Sequence, residues 1–447
     1  MKYSSALVVA AASVANAGYC TDAFEEMGNW FCPQPVKQIK YSGLDIAGKY
    51  RAVAQMDASG TCTFEDKDYS GPIAPFSEDL TMHFRGPLNL VSVAVYTPNK
   101  GKRDVPKPHS KRHGHQHLHK KHHEHHEAEK RADMVTAVID GKTATWENNW
   151  FGAAATAAAA VATPVANAAS AVASAAQSAK GAVESAISSA KSGGSDYVDV
   201  GDYSRIAYYN AKDQVADGLV FLGNYGDPSL SGTFDTTWGA SLSYANAEGS
   251  GCAASPTILK DGLIDDSSEI IIASDKECDG DCGTVRPGAV AYKGFEGADK
   301  VFLAEFKMPL SGKTGWNMDM PAYWLLNAAI PRTGQYSKCS CWSGDNASPQ
   351  EGGCGEADII EVLRSGDTKA KSTFHFAAGT GDSHYFDRPT DSSMKVAVVF
   401  QAASSTASIK VLDDSFDFST GLTSDQVESL VTDESQLDLF SLMSFGS

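Results

Sequence analysis

Residues 355 to 362 read Gly-Glu-Ala-Asp-Ile-Ile-Glu-Val and place three carboxylates, Glu356, Asp358 and Glu361, within one short segment. Grouped acids of this kind can share nucleophilic and general acid/base work on a single bond. The chain has 55 Asp plus Glu in 447 residues, so three acids at these offsets are expected roughly once by chance and the spacing alone decides little. The element that carries them decides more. On a helix, at 100° per residue, Glu356 and Glu361 would point about 140° apart and share no face. The β-branched Ile359, Ile360 and Val362 favour a strand. There Glu356 and Asp358 share a face, whereas Glu361 has the wrong parity unless one residue is absorbed in a β-bulge. With that bulge the two glutamates lie four strand steps apart, roughly 13 Å between Cα atoms. Long side chains leaning inward can close this towards the ~5 to 5.5 Å between the carboxyls of a retaining glycosidase. Like charges stacked on one strand face repel, so a purely structural role fits poorly.

Sugar rings have apolar faces that stack on flat side chains, so aromatic residues near the acids are the second requirement. Trp316, Tyr323, Trp324 and Trp342 are close in sequence and are the candidate substrate-binding residues. His375 is a candidate hydrogen-bonding partner near the nucleophile. The competing view makes any one Trp a core residue and His375 a satisfied structural histidine.

The Glu356, Asp358, Glu361 strand resembles the active-site signature of glycoside hydrolase family 16, the β-jelly-roll glucanases. Upstream, Met320-Pro321-Ala322-Tyr323-Trp324-Leu325-Leu326 is similar to that family's tryptophan-bearing strand, and downstream Thr373-Phe374-His375 is similar to its histidine-bearing strand. Most of the chain resembles a fungal cell-wall family described as target of SBF. Its amino-terminal domain resembles Tyr69-Ser70-Gly71-Pro72 through His83-Phe84-Arg85-Gly86-Pro87, and its β-glucanase domain resembles Gly232-Thr233-Phe234-Asp235 through the acidic strand. The resemblance implies Glu356 as nucleophile, Glu361 as general acid/base and Asp358 as the carboxylate that orients and tunes them. Ala357 stands where the family often has a bulkier aliphatic residue, a departure that concerns packing. Family 16 relatives often carry structural calcium, and Asp275-Lys276-Glu277-Cys278-Asp279-Gly280-Asp281-Cys282 offers oxygen ligands outside the EF-hand spacing. The reading adopted is a disulfide-closed acidic turn, with no cofactor and no metal.

These residues need a scaffold. From about Tyr197 onward, short runs rich in Val, Ile, Phe, Tyr and Thr recur between Gly, Asp, Asn and Ser: 218–222, 269–273, 301–308, 359–363, 372–377, 396–401 and 408–412. That spacing predicts an all-β sandwich or jelly roll over 197–447. Residues 18–99, with the strand-like Leu90 to Tyr96, are expected to form a smaller amino-terminal β-rich domain. Between them lie a 100–131 segment with nine of the twelve His and the dibasic pairs Lys102-Arg103, Lys111-Arg112 and Lys130-Arg131, a connecting segment 132–151, and an Ala/Ser-rich stretch 152–194. Neither the basic segment nor the Ala/Ser stretch has a hydrophobic face to dock, so both are expected to be disordered linkers. The basic segment also offers clustered imidazoles for metal, a polycation that charges further in an acidic exterior, and paired basic residues for proteolytic processing.

Composition narrows the function classes. The net charge is -18, and the 100–131 segment opposes it with ten Lys or Arg against four acids. A chain this acidic repels phosphate backbones, which argues against nucleic acid as the partner. No apolar run reaches the 18 or so residues of a membrane-spanning helix. Lys2, the apolar run Ala6 to Ala15 and Ala15-Asn16-Ala17 describe a secretory signal peptide over 1–17. Most of the nine Cys are then expected to pair: 20, 32 and 62 lie early and 252, 278, 282, 339, 341 and 354 late, so the late set suffices for three bridges and the early set leaves one thiol or pairs elsewhere. A zinc reading of Cys278, Cys282, Cys339 and Cys341 is set aside in favour of disulfides. Asn346-Ala347-Ser348 is a glycosylation sequon.

The expectation is therefore a secreted, monomeric cell-wall enzyme acting on β-glucan, a retaining endo-1,3-β-glucanase. The alternatives are a glucan transglycosylase and a non-catalytic wall protein that binds glucan with the same fold.

Overall fold

The computed structural model describes residues 20, 22–26, 28–99, 134–139, 142–147, 202–335, 337–342, 353–376, 378–381, 383–434 and 439–445. The signal peptide, the His-rich segment, the Ala/Ser stretch and Asn346 fall outside them. The chain divides into two units, one made of 1–99 with 200–447 and the other of 100–199. Within the second, Met134–Ile139 and Lys142–Glu147 pair as an antiparallel hairpin.

The first unit is an all-β sandwich of two ten-stranded sheets. One runs in the order 252–253, 243–245, 219–223, 269–274, 80–85, 322–327, 356–362, 369–375 and 380–381, with 386–387 on its flank. The other runs 215–217, 203–210, 88–98, 300–307, 394–401, 406–412, 38–42 and 440–444, with 263–264 and 421–422 on its flanks. The expected strands in 197–447 all form, within a few residues of their predicted bounds. Their alternation drives the assembly: apolar residues from the two inner faces meet in one core. Tyr41 lies against Phe374 with ring centroids 4.2 Å apart, and Phe306 against Tyr323 at 5.9 Å.

The expected boundary between an amino-terminal domain and a glucanase-like domain does not exist as a fold boundary. Leu80–Arg85 is hydrogen-bonded between Glu269–Ser274 and Ala322–Asn327 in the first sheet. Leu88–Pro98 sits between Tyr203–Asn210 and Lys300–Lys307 in the second. An internal strand has both backbone edges to satisfy, and 80–85, almost wholly buried, finds both partners about 190 to 240 residues away. The ends of the 100–201 excursion also meet, with Pro98 opposite Tyr203 and the Asn99 amide 2.7 Å from the Asp202 carbonyl oxygen.

The outer face of the second sheet is covered by the helix Ser424–Val431, which buries Val427, Leu430 and Val431 against Tyr96, Val301 and Val399. The helix begins in a capping box made by Thr423 and Gln426.

Four disulfides are present: Cys20–Cys32, Cys62–Cys339, Cys278–Cys282 and Cys341–Cys354. The late cysteines do not close on themselves. Cys339 pairs with the early Cys62, and Cys252 is the free thiol among the described residues. All four cysteines of the zinc reading are thus in disulfides. Cys278–Cys282 closes the acidic turn, where Lys293 pairs with Asp281 and Glu277 accepts a hydrogen bond from Tyr292. Among the described residues the side-chain carboxylates of that turn form no group of three within reach of one ion.

Candidate active site

Glu356–Val362 is a strand, flanked by Ala322–Asn327 on one side and Lys369–His375 on the other. Its register breaks against both neighbours. Trp324 lies opposite Asp358 and Tyr323 opposite Ile360, so one residue is skipped, and on the other side the ladder breaks between Asp358 and Glu361. This is the bulge that parity requires. It returns Glu361 to the face that bears Glu356 and Asp358, while Ala357, Ile360 and Val362 are fully buried in the core between the sheets. Gly355, with φ at 109°, leads into the strand in a backbone region that disfavours a side chain.

Each acid has a distinct setting. Glu356 and Asp358 are each only 7% exposed. The Trp342 indole N–H donates to Glu356 Oε2. His375, whose Cα lies opposite Glu356, places Nε2 2.9 Å from Asp358 Oδ2. Arg85 places Nη2 3.2 Å from Glu361 Oε1, and its Nε donates to the Met320 carbonyl oxygen at 2.8 Å. The site is therefore built from four neighbouring strands, one of them from the amino-terminal block.

Burial, reinforced by the Asp358 charge, pushes the Glu356 carboxyl well above the usual carboxylate range, while His375 and the Trp342 hydrogen bond pull the other way. Burial and then Asp358 lift Glu361 to about 7, against the pull of Arg85. Burial alone would lower His375, but its bond to Asp358 and the charges of Asp358, Glu356 and Glu361 outweigh that and raise it to about 9. At neutral pH the imidazole is thus a cation beside Glu356 and Glu361, whose carboxyls burial and the Asp358 charge push towards the neutral form.

The aromatic candidates separate. Trp324 projects from the same face as the acids, directly opposite Asp358, with its ring 5.1 Å from that of His83; it is 4% exposed. Trp342 reaches Glu356. Tyr323 does not take part: it alternates with Trp324 along the strand, is fully buried, and stacks on Phe84 at 4.7 Å inside the core. The expectation of Tyr323 as a substrate-binding residue is corrected by this parity. Trp316 is 82% exposed on the loop that enters the Trp324 strand at the Ala322 end, which lies opposite Glu361, and it is not drawn into the carboxylate cluster. The loop is held by Asp319, whose carboxylate accepts from the Ser311 and Gly312 amides at 3.1 and 3.0 Å and pairs with Arg388.

Sequence reasoning missed His83, Arg85 and Glu269. His83 is fully buried on the acids' side of the sheet, with Nδ1 2.8 Å from Glu269 Oε1 and Nε2 2.8 Å from Thr81 Oγ1. The signal was present in the alternation His83-Phe84-Arg85, polar on one face and aromatic on the other, but nothing local places that segment beside residue 361.

Comparison with known proteins bears on these residues as a set. The family described as "Cell wall protein YJL171C/Tos1, C-terminal" matches residues 201–430, and its amino-terminal counterpart matches 37–98. A protein of Arthroderma benhamiae named "Probable circularly permuted 1,3-beta-glucanase" is 37% identical, with 99% of each chain covered. The Candida albicans protein of the same name with the suffix TOS1 is 36% identical over 96% of this chain and 97% of its own. The Saccharomyces cerevisiae TOS1 protein is 38% identical over 87% of this chain and 89% of its own. No solved structure matches. With both family segments lying on the strands that carry the carboxylates, Trp324 and Arg85, the chain belongs to the YJL171C/Tos1 family of cell wall proteins.

Proposed function

We propose that the protein is a secreted cell-wall glycosidase that acts on β-1,3-glucan by retaining double displacement. One observation carries the reading: the bulge turns three carboxyls of a single strand onto one face, where an imidazolium, an indole and a guanidinium each engage a different one. In this mechanism Glu356, as the anion that the His375 charge and the Trp342 hydrogen bond favour against burial, attacks the anomeric carbon while Glu361 gives its proton to the departing glycosidic oxygen. Glu361, now a carboxylate, takes a proton from the incoming hydroxyl, which displaces Glu356. Asp358, held by His375, orients the pair and favours the protonated form of Glu361. Trp324, nearly buried, borders the cluster, the partly exposed Trp342 supplies stacking surface beside Glu356, and Trp316 offers an exposed ring on an anchored loop. No step calls for a cofactor or metal.

The linkage and the compartment rest on the relatives' printed names and the family description, and disulfides accord with an oxidising exterior. A strand order in which an amino-terminal strand completes the middle of a sheet of carboxyl-terminal strands is also what circular permutation of a sandwich produces.

Reducing-end release from laminarin tests the reading. Wild type should turn over, with kcat/KM falling as pH rises through about 7 because Glu361 must carry its proton. Glu356→Gln should lose on the order of a thousandfold or more in kcat while still pulling down on insoluble glucan. The first-formed product should keep the β anomer. Binding by the wild type without turnover would favour the non-catalytic wall protein. Products longer than the substrate would favour transglycosylation.

A further inference from the structure

The motif His83-Phe84-Arg85-Gly86-Pro87, on the amino-terminal side of the excursion, lies in the middle of the carboxylate-bearing sheet. Its residues divide by face. Phe84 stacks on Tyr323 in the core. A Cβ on Gly86 would come within 2.1 Å of the Asp265 carbonyl oxygen, so only glycine admits that neighbouring backbone. His83 and Arg85 point to the acids' side. Arg85 is fixed at two points, by the bond from Nε to the Met320 carbonyl oxygen at 2.8 Å and by the Nη2 contact to Glu361 at 3.2 Å, and its guanidinium lies 5.8 Å from the centre of the Trp324 ring. Both charged side chains are mostly buried, Arg85 15% and Glu361 23% exposed.

We propose that Arg85 is a positioning residue for Glu361, aiming its carboxyl at the scissile oxygen and stabilising it as the anion in the half-reaction where it serves as base. This rests on the glycosidase reading above. When Glu361 transfers its proton to the leaving oxygen, the carboxylate left behind faces Asp358 and Glu356 on its own strand. On the adjacent strand stand His375, bonded to Asp358, and Lys371, opposite Glu361 and directed to the Trp30 carbonyl oxygen at 2.8 Å. Arg85, from the strand on the other side of Trp324, is the cation in direct contact with that carboxylate. Its Coulombic pull favours the anion, opposing the burial and Asp358 that favour the acid. Glu361 must be protonated in one step and ionised in the next, and the guanidinium keeps the second state within reach.

Arg85→Met and Arg85→Lys, each compared with wild type across pH on laminarin, test this. Arg85→Met should move the descending limb of kcat/KM upward by about one unit, since a carboxyl beside Arg is held down by roughly that much or more. It should also lower kcat at the optimum about tenfold, with KM falling alongside as the glycosyl-enzyme accumulates. Arg85→Lys should restore the limb and most of kcat. An unmoved limb with activity reduced equally at every pH overturns the proposal, and so does an Arg85→Lys protein as impaired as Arg85→Met with the same limb. A second readout needs no turnover: infrared titration of the Glu361 carboxyl in the free protein, identified by its loss in Glu361→Gln, should move upward in Arg85→Met, and an unmoved titration overturns the pairing. A wild type that never cleaves laminarin would sink the glycosidase reading, while the infrared titration would still decide whether Arg85 governs Glu361.

Discussion

At the scale of single residues, the proposed mechanism sets the carboxyl cluster against stability. Glu361 titrates at about 7 in the fold against an ordinary value of 4.5. Between those two values the folded chain keeps a proton that the unfolded chain has released. The stability this group contributes is therefore complete below 4.5 and is lost as pH rises through about 7. Replacing Glu361 with Gln removes a charge the site holds reluctantly, so the variant should be more stable than wild type at pH 8, by on the order of 2 kcal/mol, and no more stable at pH 4. Urea melts of both proteins at the two pH values would show it, and equal stability at pH 8 would mean that the anion is well accommodated. Tyr323 makes a second case. Its hydroxyl is buried and has no hydrogen-bond partner among the described residues. Tyr323→Phe should therefore hold or raise stability by about 1 kcal/mol, with unchanged turnover, because an unsatisfied buried hydroxyl is lost while the ring contacts to Phe84 and Phe306 remain. A loss of turnover with the melt unchanged would return Tyr323 to the list of substrate contacts.

At the scale of elements, short-range patterns were legible where a residue's neighbours in sequence decide its conformation. β-Branching at Ile359, Ile360 and Val362 made the acidic segment a strand, and the parity of three acids demanded a bulge, which both ladders contain. The same alternation, applied to the next strand, separates Tyr323 from Trp324: if one faces the acids, its neighbour faces the core. Partners beyond local reach were not legible. The strand 80–85 carries no mark saying that it inserts between 269–274 and 322–327, so Arg85 could not be matched to Glu361, nor Cys62 to Cys339. The helix 424–431 was not expected from the sequence, although it begins on a local signal. Thr423 accepts from the Gln426 amide and Gln426 reaches back to the Thr423 amide at 2.9 Å. Thr423→Ala should lower stability by about 1 kcal/mol, read as a shift in the urea midpoint at unchanged slope. The helix packs on the outer face of the second sheet, away from the carboxylates, so kcat should not change; a change in kcat would mean that this face communicates with the site.

For the whole molecule, the interleaved order predicts that the sandwich forms without the 100–201 excursion. Residues 98 and 203 already sit opposite each other as neighbours in a ladder, so the gap needs only a turn. A chain in which a two-residue Asn-Gly turn replaces 100–201 closes the same antiparallel pair with a far shorter loop, and a shorter loop costs less entropy to close. Such a protein should fold with a melting temperature at or above that of the full chain and keep its activity on laminarin. The complementary experiment cuts the connection while leaving it in place. With a protease site introduced between 100 and 199, the two pieces stay covalently joined through Cys62–Cys339, the described disulfide that spans the gap. The nicked protein should run as one band without reductant and as two with it, and it should remain active before reduction, because Arg85 from the first piece and Glu361 from the second are held in adjoining parts of one sheet. Separation without reductant would contradict the disulfide. Loss of activity on nicking alone would show that the excursion does more than connect two strands that already touch.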